Sequence, residues 1–126
     1  MTNILVDTHV LLWALGEPER LAVEARAALE NGDNEVFVSA VSAWEISIKA
    51  ALGKLRVPED LARGVRSLRF IPIDITFEDG LAVRQLPEIH RDPFDRMLIA
   101  QCLERDLVLM TNDERIQQYT VATTRA

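Results

Sequence analysis

The chain has 126 residues, 48% of them hydrophobic and 27% charged, with a formal net charge of −6. That length suits one domain, and the mix excludes a disordered tail, a collagen-like repeat and a disulfide scaffold, since Cys102 has no second cysteine to pair with. A uniformly anionic surface is also excluded as a nucleic-acid binder, because phosphate binding is driven largely by cations.

Asn3 to Val6 reads as a first short β run. It is followed by the longest unbroken apolar stretch, Val10 to Leu15, a helical stripe that carries Trp13. This run is far short of the ~20 residues a membrane helix needs. No basic region precedes the first apolar stretch, so no signal peptide is expected and a reducing cytoplasm is the expected home. Leu21, Ala25, Ala28 and Leu29 recur at helical spacing between Pro18, a good first-turn residue, and Gly32, a good terminator. Glu35 to Ser39 is the second strand, and Val41, Trp44, Ile48, Ala51 and Leu52 form the next helical stripe, ended by Gly53.

Residues 58–68 read as a helix with Leu61, Val65 and Leu68 on one side. Phe70 to Asp74 reads as a third strand, pushed to a sheet edge by Pro72. Residues 76–86 read as a further helix stopped by Pro87. Gly64 and Gly80 each cost their helix ~1 kcal/mol. Asp92-Pro93 opens the strongest helix, Phe94 to about Arg105, and Leu107 to Met110 is the fourth strand. No repeat or linker interrupts this series, so residues 1–126 are expected to form a single unit. Strands alternating with helices predict a three-layer α/β domain, with a central, mostly parallel sheet of four to five strands flanked by helices.

The charge is unevenly spread. Between positions 49 and 69 lie six cations (Lys49, Lys54, Arg56, Arg63, Arg66, Arg69) and two anions (Glu59, Asp60), a local net of +4 against −10 for the rest. A solvated helical face is the plain explanation. The segment also provides cations, Lys54 and Arg56 among them, that would meet phosphates.

In an open parallel sheet, functional groups gather at the carboxyl ends of the strands. Asp7 closes the first strand and Asp113 follows the fourth; Glu45 and Asp95 lie in early turns of helices that start from the same edge. Each acid has a structural alternative: Ser42-x-x-Glu45 fits a capping box, Asp92 is a good N-cap, Asp95 complements a helix dipole, and Asp7 and Asp113 suit turns. Four acids converging on one edge favour a site instead, because packed carboxylates repel unless a cation or shared protons intervene. Hard oxygen ligands without a Cys or His cluster select Mg²⁺, with Mn²⁺ as substitute, over zinc. Such a centre suits phosphodiester hydrolysis. Thr8, Thr111 and Asn112 are neutral hydrogen-bonding groups beside the acids, suited to positioning a carboxylate or phosphate or, equally, to making turns.

Together, Leu5-Val6-Asp7-Thr8, the run Ser39 to Ile46, the run His90 to Gln101 and Thr111-Asn112-Asp113 resemble the PIN-domain family. The match is closest to the small VapC-type toxins of prokaryotic type II toxin–antitoxin systems and covers nearly the whole chain. The resemblance implies a magnesium-dependent ribonuclease that acts on RNA, is held inactive by a cognate antitoxin protein and usually forms a homodimer. It puts Asp7, Glu45, Asp95 and Asp113 on the four acidic positions and Thr111 on the accompanying hydroxyl position. Asp95 is assigned to the metal and Asp92 to the helix cap.

Trp13 and Trp44 are read as core or dimer-interface residues, and Cys102 as a small buried apolar residue. His9 and His90 lie near the acids, but metal chemistry needs no histidine acid there. The surplus of apolar surface on Val10 to Leu15 points to a partner laid along it. Two other readings compete. An aspartyl phosphotransferase or phosphatase would use Asp7 as nucleophile, but no second aspartate lies two residues on and no lysine sits near Asp113. A non-catalytic RNA- or protein-binding domain would need no intact acidic set, and all four acids are present.

Overall fold

A computed structural model describes residues 1–58 and 60–126. Five strands, β1 (Asn3–Val6), β2 (Glu35–Ser39), β3 (Ile71–Ile73), β4 (Val108–Met110) and β5 (Thr123–Thr124), form one sheet in the order β3-β2-β1-β4-β5. Every neighbouring pair is parallel. Among the described residues, six α-helices connect and cover them: α1 (Thr8–Gly16), α2 (Val23–Glu30), α3 (Ala40–Ala51), α4 (Leu61–Ser67), α5 (Phe77–Ala82) and α6 (Pro93–Arg105).

Alternation along the strands builds two cores. Ile4, Val6, Val36 and Val38 face one layer with α1, α2 and α4, while Leu5 and Leu109 face the other with α6. Leu5, Val6 and Leu109 are completely buried, as a sheet covered on both faces requires. Order reverses around β1, whose neighbours β2 and β4 come from opposite halves of the chain. The crevice outside the carboxyl ends of β1 and β4 is therefore the switch point of the fold.

β3 is an edge strand, where Pro72 costs no ladder hydrogen bond on the open side. β5, a two-residue strand without apolar alternation, adds an edge that the sequence pattern does not signal. Helix bounds shift by a few residues. The expected helix of residues 76–86 is α5 followed by a 3₁₀ turn, Val83–Gln85. The helix expected after Pro18 is a 3₁₀ turn, Pro18–Arg20, and then α2, with Leu21 and Ala22 between them. The helix expected from residue 58 is described from Leu61, and Glu59 lies outside the described residues.

Gly64 allows close contact here: a Cβ at that position would stand 2.7 Å from Leu15 Cδ2 where α4 meets α1. Gly53 ends α3 with φ of 71°, a left-handed conformation that only glycine adopts without cost. The apolar stretch Val10 to Leu15 turns inward instead of offering free surface. Val10 and Leu11 are buried, and Leu12, Trp13, Ala14 and Leu15 pack half-buried against the core. An exposed apolar stripe lies on α3 and its C-cap, where Trp44 is 56% and Leu52 63% exposed.

Candidate metal centre and cleft

A cleft of about 410 Å³ opens at the carboxyl edge of the sheet, lined by Asp7, Thr8, His9, Trp13, Glu45, Lys49, Asp92, Asp95, Asn112, Asp113 and Arg115. All four acids that the sequence singles out line this one cavity. Each is put there by the end of a strand or the beginning of a helix. Asp7 follows β1 and caps α1, its Oδ1 accepting from Val10 N at 2.8 Å, while its own N–H donates to Met110 O of β4 at 3.1 Å. Asp113 follows β4, and its N–H donates to Thr111 Oγ1 at 3.0 Å. Glu45 points from the second turn of α3 and Asp95 from the first turn of α6.

The carboxylates differ in their surroundings. Glu45 is 3% exposed with one partner on each oxygen: Oε1 accepts from Thr8 Oγ1 at 2.6 Å, and Oε2 pairs with Lys49 Nζ one turn along α3. That contact holds the Lys49 ammonium above its usual pKa, despite the opposing effect of its partial burial. Burial raises the pKa of Asp7, against the opposing pull of the Thr111 hydroxyl and the Val10 N–H. Asp95 is pushed up to about 7, first by burial and then by the neighbouring Asp92 carboxylate, with His90 working the other way. Asp113 moves in the opposite direction. Burial alone would raise it, but the Arg115 N–H at 2.9 Å and the Arg115 guanidinium outweigh that and hold it below the usual carboxylate range. Two acids with raised proton affinity, buried Asp7 and half-buried Asp95, in one cleft with Glu45 and Asp113 describe a pocket short of positive charge.

Donor atoms of His90, Asp95 and Asp113 lie within 4.8 Å of one another. His90 Nε2 is 2.8 Å from Asp95 Oδ2 and 3.6 Å from Asp113 Oδ2. No ligand spacing marks this histidine in the sequence, because the Asp92-Pro93 turn between His90 and Asp95 breaks any periodic relationship. Asp92 caps α6, its Oδ1 accepting from Phe94 N at 2.8 Å and Asp95 N at 3.1 Å. A predominantly oxygen donor set with a deficit of positive charge fits a hard divalent cation.

The remaining candidates separate. Thr8 is committed to Glu45, and Ser42 Oγ lies 3.0 Å from the same hydroxyl. Thr111 is buried beneath Asp7 and Asp113. Asn112 lines the cleft, but its amide is bonded to the backbone of Ala126 at 2.9 and 3.2 Å, tying down the C-terminal residue. Lys54 and Arg56 are exposed beyond the end of α3 and do not line the cavity; the cations that do are Lys49 and Arg115. Lys49 is legible in the sequence as the i+4 partner of Glu45 on a helix. Arg115 and His9 carry no such signal. Trp13 is half-buried against the core as expected, yet it also reaches the cleft, with Arg20 over its ring at 5.0 Å.

The profile of the PIN domain matches residues 4–122. The chain is 32% identical to Ribonuclease VapC22 of Mycobacterium tuberculosis, an alignment that covers 94% of this chain and 93% of that protein. In fold it is similar to VapBC2 from Rickettsia felis, solved bound to a DNA fragment from its promoter. The TM-score is 0.74 at 12% identity, covering 98% of each chain. It is also similar to DNA-bound VapBC from Salmonella typhimurium, with a TM-score of 0.68 at 19% identity over 99% of this chain and 98% of that one.

Proposed function

The chain belongs to the PIN-domain family, among its VapC-type members, and on that premise we propose that it is a metal-dependent endoribonuclease, the toxin of a type II toxin–antitoxin system. The observation that carries the chemistry is the single cleft shared by Asp7, Glu45, Asp95 and Asp113, in which burial leaves Asp7 and Asp95 short of a cation. We read residues 1–126 as one nuclease unit.

In this reading Asp7, Asp95, Asp113 and Glu45 would hold Mg²⁺, or Mn²⁺ in its place. When bound there, the cation would supply Lewis acidity toward a phosphoryl oxygen and lower the pKa of water. Asp113, kept ionised by Arg115, would orient the attacking water through a carboxylate oxygen. Lys49 and the Thr8 hydroxyl fix Glu45 in one rotamer, so that its charge stays aimed at the cleft. Thr111 holds Asp7 and the Asp113 backbone in register, and Asn112 anchors the segment beside them. Arg115 and Lys49 offer positive charge to the phosphates of an RNA strand, and Lys54 and Arg56 extend that track along the continuation of α3.

The protein acts in the cytoplasm, and no helix among the described residues is long and apolar enough to cross a membrane. Its partners are a cognate antitoxin, by analogy with the VapBC relatives, and a second copy of itself. The α3 stripe of Trp44, Ile48 and Leu52 provides apolar surface for one of them. The test is incubation of purified protein with RNA in Mg²⁺, in Mn²⁺ and in EDTA. Cleavage is expected in the first two only, and equal cleavage in EDTA overturns the metal role. Light scattering that shows a monomer at micromolar concentration overturns the dimer.

A further inference from the structure

Arg96 follows Asp95 on α6 but points away from the cleft into the protein, where it is 9% exposed. A guanidinium in such a place is costly unless its N–H groups are bonded. Here Nη1 donates to Pro87 O at 2.9 Å, to Tyr119 Oη at 3.2 Å and to His90 O at 3.4 Å, while Nη2 donates to Val83 O at 3.2 Å and Leu86 O at 3.4 Å. The Glu88 carboxylate is 3.9 Å away on a side chain that is 87% exposed, so it neutralises the charge poorly. An apolar side chain would fill this volume at lower cost. What the guanidinium adds is direction: it collects the carbonyls of a segment that, after the 3₁₀ turn at Val83–Gln85, has no regular structure to satisfy them.

Tyr119, on the approach to β5, completes the arrangement. Its hydroxyl accepts from His90 N at 2.8 Å, and its own proton is shared between the carbonyls of Pro87 at 3.1 Å and His90 at 3.4 Å. Both backbone groups of His90 therefore end on the Arg96–Tyr119 pair. Its side chain ends on the two acids, at 2.8 Å from Asp95 and 3.6 Å from Asp113. At 3% exposure His90 has no freedom to turn away.

Resting on the nuclease reading above, we propose that Arg96 and Tyr119 are positioning residues that clamp His90, and that His90 in turn aligns Asp95 and Asp113 for the divalent cation. Partners one step behind a ligand typically change metal affinity or activity by about 10- to 100-fold when removed. The clamp acts on the cation only through the imidazole, and this separates it from a plain structural prop.

The experiment is Mn²⁺ binding, followed by the electron paramagnetic resonance of the free ion, for the wild type, Tyr119→Phe, Arg96→Lys, His90→Gln and the two double variants that add His90→Gln to each clamp variant, with thermal melting alongside. Tyr119→Phe removes one hydroxyl and preserves the ring; Arg96→Lys, which retains charge but cannot span the carbonyls, is the second probe of the clamp. His90→Gln is expected to weaken Mn²⁺ binding about tenfold. Tyr119→Phe and Arg96→Lys are each expected to weaken it several-fold in the wild-type background and less than twofold in the His90→Gln background. Equal losses in both backgrounds overturn the proposal, as does a lower melting temperature with unchanged affinity. A wild type that binds Mn²⁺ normally while every variant matches it overturns the clamp alone. A wild type that binds no Mn²⁺ overturns the metal reading, and the clamp with it.

Discussion

Thr8 Oγ1 donates to Glu45 Oε1 at 2.6 Å, joining the first turn of α1 to the second turn of α3 inside the protein. Both residues are buried, at 4% and 3% exposure. The bond couples the capping end of one helix to an acid on another, and it leaves the second oxygen of Glu45 for Lys49. Thr8→Val keeps the shape and removes the donor, so a buried carboxylate oxygen loses its partner. Such a loss costs about 1–3 kcal/mol. Urea unfolding is expected to show a destabilisation of that size, with RNA cleavage reduced because Glu45 is freed to swing. An unchanged midpoint would show that water replaces the hydroxyl and that the pair contributes nothing to the fold.

The shifted acids predict a pH dependence in the absence of metal. Asp95, at about 7 in the folded protein, lies above the ordinary carboxylate value of about 3.9 expected of an unfolded chain. Between those two values the folded state keeps a proton that the unfolded state releases, so stability falls as pH rises through the window. Asp7 works in the same direction. Asp113 is lowered, so its contribution is present above the ordinary value and is lost as pH falls below it. In EDTA, the melting temperature of the wild type relative to Asp95→Asn is therefore expected to drop from about pH 4 to about pH 7. Mg²⁺ should flatten that difference. A difference that rises with pH contradicts the raised Asp95 pKa.

The cations of the cleft and those beyond it are separable by substrate length. Arg115 lines the cavity beside Asp113, whereas Lys54 and Arg56 lie past the end of α3. With long single-stranded RNA, Lys54→Ala with Arg56→Ala is expected to flatten the log–log salt dependence by ~0.7 for each phosphate that is no longer neutralised. With an oligonucleotide of a few residues that fills only the cleft, the same pair should have no effect, while Arg115→Ala should still weaken binding. If the long RNA ignores the Lys54 and Arg56 changes, the strand leaves the cleft by another route.

The strands and the capped helices are legible in the sequence because local chemistry sets them: β-branched runs, Pro93 after an aspartate, and Gly53 at a left-handed terminus. The edge position of β3 is legible because Pro72 cannot serve a central strand. Convergence of the four acids follows from one topological rule, that parallel strands end together. What stays hidden depends on neighbours far apart in the chain. β5 pairs only two residues and carries no alternation. The Arg96–Tyr119 hydrogen bond spans 23 positions, and neither residue type marks a loop clamp by itself. The inward turn of Val10 to Leu15 overturns the free surface expected there, because an apolar run does not say which side its neighbours cover; here it joins one cluster with the sheet, α2, α3 and α4.

Asp92 and Asp95 sit three residues apart, and their surroundings differ. Asp92 accepts two backbone N–H groups at the start of α6, whereas Asp95, half-buried beside it, is turned to His90 and the cleft. Removing the cap should cost the fold about 1 kcal/mol. It also removes a negative neighbour that helps to raise the Asp95 pKa, so part of the cleavage activity should survive. Asp95→Asn should do the reverse. It relieves a buried charge that the metal-free protein holds at a cost, so melting in EDTA should be equal or higher, and cleavage in Mg²⁺ should be lost. The two measurements on the two variants decide the assignment. If Asp95→Asn melts much lower and still cuts RNA, Asp95 is structural. If Asp92→Ala abolishes cutting without a change in melting, the duties are exchanged and Asp92 holds the cation.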